Sequence, residues 1–190
     1  MKNPSNEFSV VLVCTGNRFR SPLAEQLLRA ATTGIATTRI SSVGTLDLPS
    51  GPALPEAIEL GRELGVDLSR HRSRPLREER LQDADLVLGF ERRHIARAVV
   101  DGGADRERVF TVGELAGLLR VVAPRSGGDP ASSARAAIAE ASSVRAQLRH
   151  PQAAELADPF GGGPADFRRA ATEVQAAVDA IALRLFGLEA

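Results

Sequence analysis

A cysteine, a Gly-Asn pair, an arginine and a Ser-Pro pair fall close together in Cys14-Thr15-Gly16-Asn17-Arg18-Phe19-Arg20-Ser21-Pro22. Cys14 is the only cysteine in the 190-residue chain. The apolar run Phe8-Ser9-Val10-Val11-Leu12-Val13 precedes the stretch, and the amphipathic run Leu23-Ala24-Glu25-Gln26-Leu27-Leu28 follows it. That context predicts strand, tight loop, helix start. Such a loop aims successive backbone N–H groups and the positive end of a helix dipole at one point, which makes an anion nest. Gly16 permits a tight turn, and Asn17 tolerates left-handed dihedrals. Arg20 supplies a planar fork for two phosphate oxygens. Helix N-termini and nearby cations favour the thiolate, the nucleophilic form of cysteine. The chemistry implied is in-line attack of sulfur on phosphorus, with cationic and N–H donors stabilising the equatorial oxygens. Ser21 is placed to donate a hydrogen bond to the thiolate and help it leave. The candidate phosphate ligands are Thr15, Gly16, Asn17, Arg18, Phe19, Arg20 and Ser21.

The elements that must hold this loop alternate strand and helix. Residues 8–13 read as a buried strand, and Ser21-Pro22 as N-cap and first position of a helix with Leu23, Leu27, Leu28 and Ala31 inward. Residues 39–43 read as a second strand. A loop with three prolines follows, then a helix with Leu54, Ala57, Ile58, Gly61 and Leu64 on one face. Residues 67–77 read as an irregular basic connection. Residues 84–90 and 108–112 read as strands three and four, with helices over 91–100 and 114–119. The pattern predicts an α/β fold with a mainly parallel sheet. An Ala-rich helix is expected from Ala131 to about Arg149, with Ala134, Ala137, Ile138, Ala141, Val144 and Leu148 inward. The last helix, with Phe167, Ala170, Ala171, Val174, Ala177, Val178, Ile181 and Leu185 in phase, is expected to pack on the sheet.

Composition narrows the class. Apolar residues make up 43% and charged residues 25%, as in soluble globular proteins. Lys+Arg and Asp+Glu are 24 each, so net charge gives no reason to expect nucleic acid or membrane as a partner. One cysteine forms no internal disulfide and no Cys-based metal site, and it fits a reducing, cytoplasmic setting. The N-terminus carries no signal-peptide apolar core. His71, His94 and His150 lack ligand spacing and read as structural or surface residues, and neither metal nor organic cofactor is expected. The basic runs at 70–77 and 92–93 read as solvated faces.

The loop resembles the active site of the low-molecular-weight protein tyrosine phosphatase family, Cys-x-Gly-Asn-x-Cys-Arg-Ser-Pro near the N-terminus. Ser42-Val43-Gly44-Thr45, Gly65-Val66-Asp67-Leu68-Ser69-Arg70-His71-Arg72-Ser73-Arg74 and Asp158-Pro159-Phe160 resemble further family segments. The resemblance implies a four-stranded parallel sheet flanked by helices on both faces, with a phosphate-binding loop after strand 1. It makes the chain one domain over 1–190, with a helical extension at about 124–156. It implies a phosphomonoester hydrolase in which Cys14 is the nucleophile, Arg20 binds the phosphate, and Asp158 is general acid, then base. Pro159 stiffens the acid loop, and Gly161-Gly162-Gly163 would let it swing. The expected partner is a phosphotyrosine protein or a small aryl phosphate, with Leu46, Leu48 and Phe160 as pocket walls. Two other readings stand beside it: an arsenate reductase using an external thiol, and an inactive phosphate-binding protein.

Two departures mark the chain. Phe19 stands where the family has its second cysteine, which traps the oxidised nucleophile as a disulfide. Arg18 stands where the family has an apolar residue, or a small Thr in members acting on phosphoarginine. An arginine there either repels phosphoarginine and attracts acidic substrates, or points to solvent or a surface carboxylate.

Overall fold

A run that is apolar on both of its alternations makes a strand only where both faces are covered. That is the setting of β1 (Phe8–Cys14), buried at every position in the computed structural model, which describes residues 6–123, 128–148 and 155–187. β1 lies beside β2 (Thr38–Gly44) and β3 (Leu86–Gly89), and β4 (Val109–Thr111) flanks β3. All pairings are parallel, in the order β2-β1-β3-β4. Val10, Leu12 and Cys14 join the core built with α1 (Arg20–Thr32) and α6 (Pro164–Phe186). Val11 and Val13 face the other way, onto Ala98 of α3 (Arg92–Val100) and Leu81. The expected four-stranded parallel sheet, covered on both faces and followed after β1 by a loop and helix, is what the chain forms.

The other α-helices among the described residues are α2 (Pro55–Glu63), α4 (Val112–Leu118) and α5 (Pro130–Gln147). Three expectations need correction. Ser21 is not the N-cap of α1: Phe19 holds that position without a side-chain cap, and Ser21 is the second helical residue. Its hydroxyl is used inside the loop instead. α6 does not pack chiefly on the sheet: α1 covers β1 and β2, and α6 lies on α1, α2, α4 and α5. Its end reaches the sheet through Phe186, edge-on to Phe8 at 5.7 Å between ring centroids. Leu148 is not part of the inner stripe of α5, since the helix stops at Gln147 and Leu148 is half exposed.

Arg145 takes an inner position on α5 that the apolar pattern did not include. It is buried, donates to the carbonyls of Val109 (2.7 Å) and Arg106 (2.8 Å), and stacks 4.1 Å from the Phe110 ring centroid. α5 is thereby docked on the edge strand β4 at Val109 and on the turn just before it at Arg106. No helix among the described residues is long and apolar enough to cross a membrane.

Candidate active site

In an open parallel sheet, ligands bind at the carboxyl ends of the strands where the chain turns to opposite sides of one strand. Here that point lies at β1, which has β2 on one side and β3 on the other. The 14–20 loop leaves β1 there. β2 comes so close that a Cβ on Gly44 would lie 2.9 Å from the Thr15 carbonyl oxygen and 3.1 Å from the Asn17 nitrogen. Only glycine fits at that approach.

The loop is built inward from Asn17, which is fully buried with φ of 52°. Its amide N–H donates to Cys14 Sγ at 3.2 Å. Its side-chain Nδ2 donates to Ser21 Oγ (2.9 Å) and Ser42 Oγ (2.8 Å). Its Oδ1 accepts from the Arg74 amide (2.9 Å), and its carbonyl accepts from His71 Nε2 (2.8 Å). Ser21 Oγ lies 3.0 Å from Cys14 Sγ. Because Ser21 already accepts from Asn17, its own proton is free to point at the sulfur. Burial lowers the imidazole of His71 below its ordinary value, against the opposing pull of the Asn17 carbonyl, so it donates as the neutral ring.

Arg20 is 2% exposed and collects the rest of the site. Nη1 donates to Glu91 Oε1 and to the Leu156 carbonyl (3.0 Å). Nη2 donates to Asp158 Oδ2 and to Thr15 Oγ1 (3.3 Å). The guanidinium carbon sits 5.7 Å from the Phe90 ring centroid. Asp158 Oδ1 accepts the Phe160 amide (3.2 Å). Arg20 thus ties the loop that follows Cys14, through Thr15, to Asp158, although Asp158 is distant in sequence.

Two residues of this site were not foreseen. Glu91 caps α3 and pairs with both Arg20 and Arg93. Burial pushes its carboxyl up, but the bonds from Arg20 and Arg93 outweigh that and hold it below its usual range. His94, read from sequence as structural or surface, is fully buried against the loop, with Nε2 3.0 Å from Thr15 Oγ1. Burial, reinforced by Arg20 and only partly offset by Glu91, lowers its imidazole to about 4. The available signal was a carboxylate and an imidazole just past a strand predicted to border the loop. His150 lies outside the described residues.

The residues expected as pocket walls are all exposed. Leu46, Leu48 and Phe160 are 49%, 38% and 75% exposed, which leaves apolar surface beside the loop uncovered. The Leu46 amide donates to the Thr15 carbonyl (3.0 Å), so the segment after β2 is tied to the loop. Arg18 braces the same segment. Its carbonyl accepts from Leu54 N (2.8 Å), and Nη2 donates to the Pro49 carbonyl (3.1 Å). A Cβ on Gly51 would meet that guanidinium at 2.7 Å. The Phe19 side chain is buried edge-on to Phe167 at 5.1 Å, in the core. Only its backbone faces the loop.

Comparison with known proteins agrees with this architecture. The chain is 38% identical over 107 residues to the protein-arginine-phosphatase of Bacillus subtilis, covering 55% of this chain and 70% of that protein. It is 34% identical over 106 residues to the low molecular weight protein-tyrosine-phosphatase Etp of Escherichia coli, covering 56% and 70%. The crystal structure of a low molecular weight protein tyrosine phosphatase from T. tengcongensis superposes with a TM-score of 0.66 at 27% identity, covering 91% of this chain and 96% of that one. Residues 9–130 match the profile of the low molecular weight phosphotyrosine protein phosphatases, and the chain belongs to that family.

Proposed function

We propose that this cysteine-dependent phosphatase acts on phosphotyrosine in proteins, through a phosphocysteine intermediate. Cys14 Sγ attacks phosphorus, and the bond to the tyrosyl oxygen breaks as Asp158 donates its proton to that oxygen. Arg20 and the N–H groups of residues 15–20 hold the three equatorial oxygens. Asp158 then takes a proton from water, whose oxygen attacks phosphorus and releases the Cys14 thiolate and inorganic phosphate. The Asn17 amide and the Ser21 hydroxyl support the thiolate as it forms and leaves.

The observation that carries this reading is the Arg20 fork, which bonds the Cys14 loop to Asp158 across the sheet end. An arriving phosphate dianion competes with Asp158 for that guanidinium.

The residues expected at the mouth support the substrate class. Leu46, Leu48 and Phe160 offer apolar and aromatic surface to an aryl ring. The cation of Arg18 lies on the wall segment at Pro49 and opposes a guanidino substrate. Similarity reaches both a protein-arginine-phosphatase and protein-tyrosine-phosphatases, so both substrates belong in the test. A cytoplasmic setting and one domain that includes α5 complete the proposal.

The test measures phosphate release from an aryl phosphate, a phosphotyrosine peptide and a phosphoarginine peptide between pH 5 and 7. Hydrolysis is expected to favour the aryl esters, to vanish in Cys14→Ser and to slow strongly in Asp158→Asn. Arg18→Thr is expected to raise phosphoarginine turnover relative to phosphotyrosine. Preference of the unaltered chain for phosphoarginine would overturn the substrate assignment, and hydrolysis surviving in Cys14→Ser would overturn the mechanism.

A further inference from the structure

His94 has a hydrogen-bond pattern that leaves one arrangement of protons. Its Nδ1 faces two backbone amides, those of Phe90 (3.3 Å) and Glu91 (3.1 Å). Both are donors, so Nδ1 accepts and carries no proton. The charged groups acting on the ring are Arg20, Arg93, Glu91 and Asp158. Burial keeps it neutral near pH 7, and the single ring proton is therefore on Nε2.

Nε2–H consequently donates to Thr15 Oγ1 at 3.0 Å. Arg20 Nη2 donates to the same oxygen at 3.3 Å. A hydroxyl oxygen has two lone pairs, and both are now engaged. The Thr15 proton is left as a donor, and no acceptor for it occurs among the described residues. The oxygen carrying it sits on the Arg20 nitrogen that also meets Asp158.

We propose that His94 is a positioning residue that turns the Thr15 hydroxyl into a directed hydrogen-bond donor to a phosphate oxygen. The inference rests on the reading of the 14–20 loop as a phosphate cradle. It adds a side-chain donor to a site otherwise made of backbone N–H groups and one guanidinium. The neutral ring suits the task, because a second proton, on Nδ1, would confront two amide donors.

The experiment is calorimetric titration of the full chain with inorganic phosphate at pH 7. Thr15→Val keeps the side-chain shape and removes the hydroxyl, and it is expected to weaken phosphate binding by about 10-fold or more, as for a lost bond to an anion. Thr15→Ser is expected to recover most of that loss. His94→Phe is expected to weaken binding in the Thr15 chain and to add less than about 2-fold in the Thr15→Val background, the signature of coupled residues. Wild-type affinity in Thr15→Val, or an equal His94→Phe effect in both backgrounds, overturns the proposal. A separate readout needs no variant: ring nitrogen and carbon NMR shifts of His94 are expected to report the Nε2–H tautomer. The Nδ1–H tautomer overturns the proposal even if His94→Phe does not fold. If the wild type binds no phosphate at all, the cradle reading itself fails, whereas phosphate bound with no Thr15 dependence removes only this inference.

Discussion

Asn17 is the residue whose loss should be felt furthest. Replacing it with Ala removes the side-chain bonds to Ser21, Ser42 and the Arg74 amide. At about 1 kcal/mol net for each neutral bond, those three contribute roughly 3 kcal/mol. The position also holds φ of 52°, which alanine adopts at an added expense of about 1 kcal/mol. Asn17→Ala should therefore lose about 4 kcal/mol. Asn17→Gly should lose a similar amount, because relief of the dihedral is offset by the looser unfolded chain. The chain contains no Trp and no Tyr, so urea unfolding is best followed by far-UV circular dichroism. In the fraction that stays folded, the Ser21 proton is no longer directed at Cys14 Sγ. Turnover of an aryl phosphate should then fall at least about 10-fold, as for one bond to a charged acceptor. If Asn17→Ala unfolds within about 1 kcal/mol of wild type and keeps its turnover, the loop is held by something other than this network.

Three further outcomes are expected. Peroxide should carry Cys14 through sulfenic acid to irreversible forms, because Phe19 is packed on Phe167 and no second cysteine exists to trap it; full recovery with dithiothreitol after prolonged exposure would contradict this, and intact mass gives the product. Stability should fall as pH drops from 6.5 toward 4, since over that window the unfolded chain protonates His94 and the folded chain does not. The effect is up to roughly 3 kcal/mol, with half-buried His71 acting in the same direction. Urea midpoints of His94→Phe should depend less on pH than those of wild type, and equal dependence would refute the assignment. Arg145→Met should leave the Arg106 carbonyl without its donor and the Val109 carbonyl with only the bond from Arg106 Nη1, which costs about 2 kcal/mol and lowers Tm by about 4–8 °C; an unchanged melting curve would show that α5 is held by its apolar face alone.

Much of this protein is legible from local pattern. The apolar run before Cys14, the Gly-Asn turn and the amphipathic run after Pro22 specify strand, loop and helix because each is settled by neighbours a few residues away. The inner stripe of α6 was legible for the same reason: periodicity of 3.6 marks which face is buried. What periodicity does not carry is the identity of the neighbour, and so α6 was assigned to the sheet when it lies on four helices. Arg145 was missed because a charged residue on an inner face breaks the apolar pattern. Its burial makes sense only with the Val109 and Arg106 carbonyls and the Phe110 ring beside it. Ser21 was assigned to a cap by residue type, whereas Asn17 and Cys14 claim its hydroxyl.

The candidate site divides along the same line. Sequence alone determined the kind of chemistry, because a nucleophile, a nest of N–H groups and a cationic fork lie within one loop whose geometry is local. Only the tertiary structure decided what the fork holds. Glu91 and His94 arrive from the end of β3, and Asp158 from the loop before α6, because the parallel sheet brings the carboxyl ends of β1 and β3 side by side. It also decided that Arg18 braces the 49–51 segment and that Phe19 belongs to the core. Side-chain direction in a tight loop is set by what packs against it, and that is information no run of neighbouring residues contains.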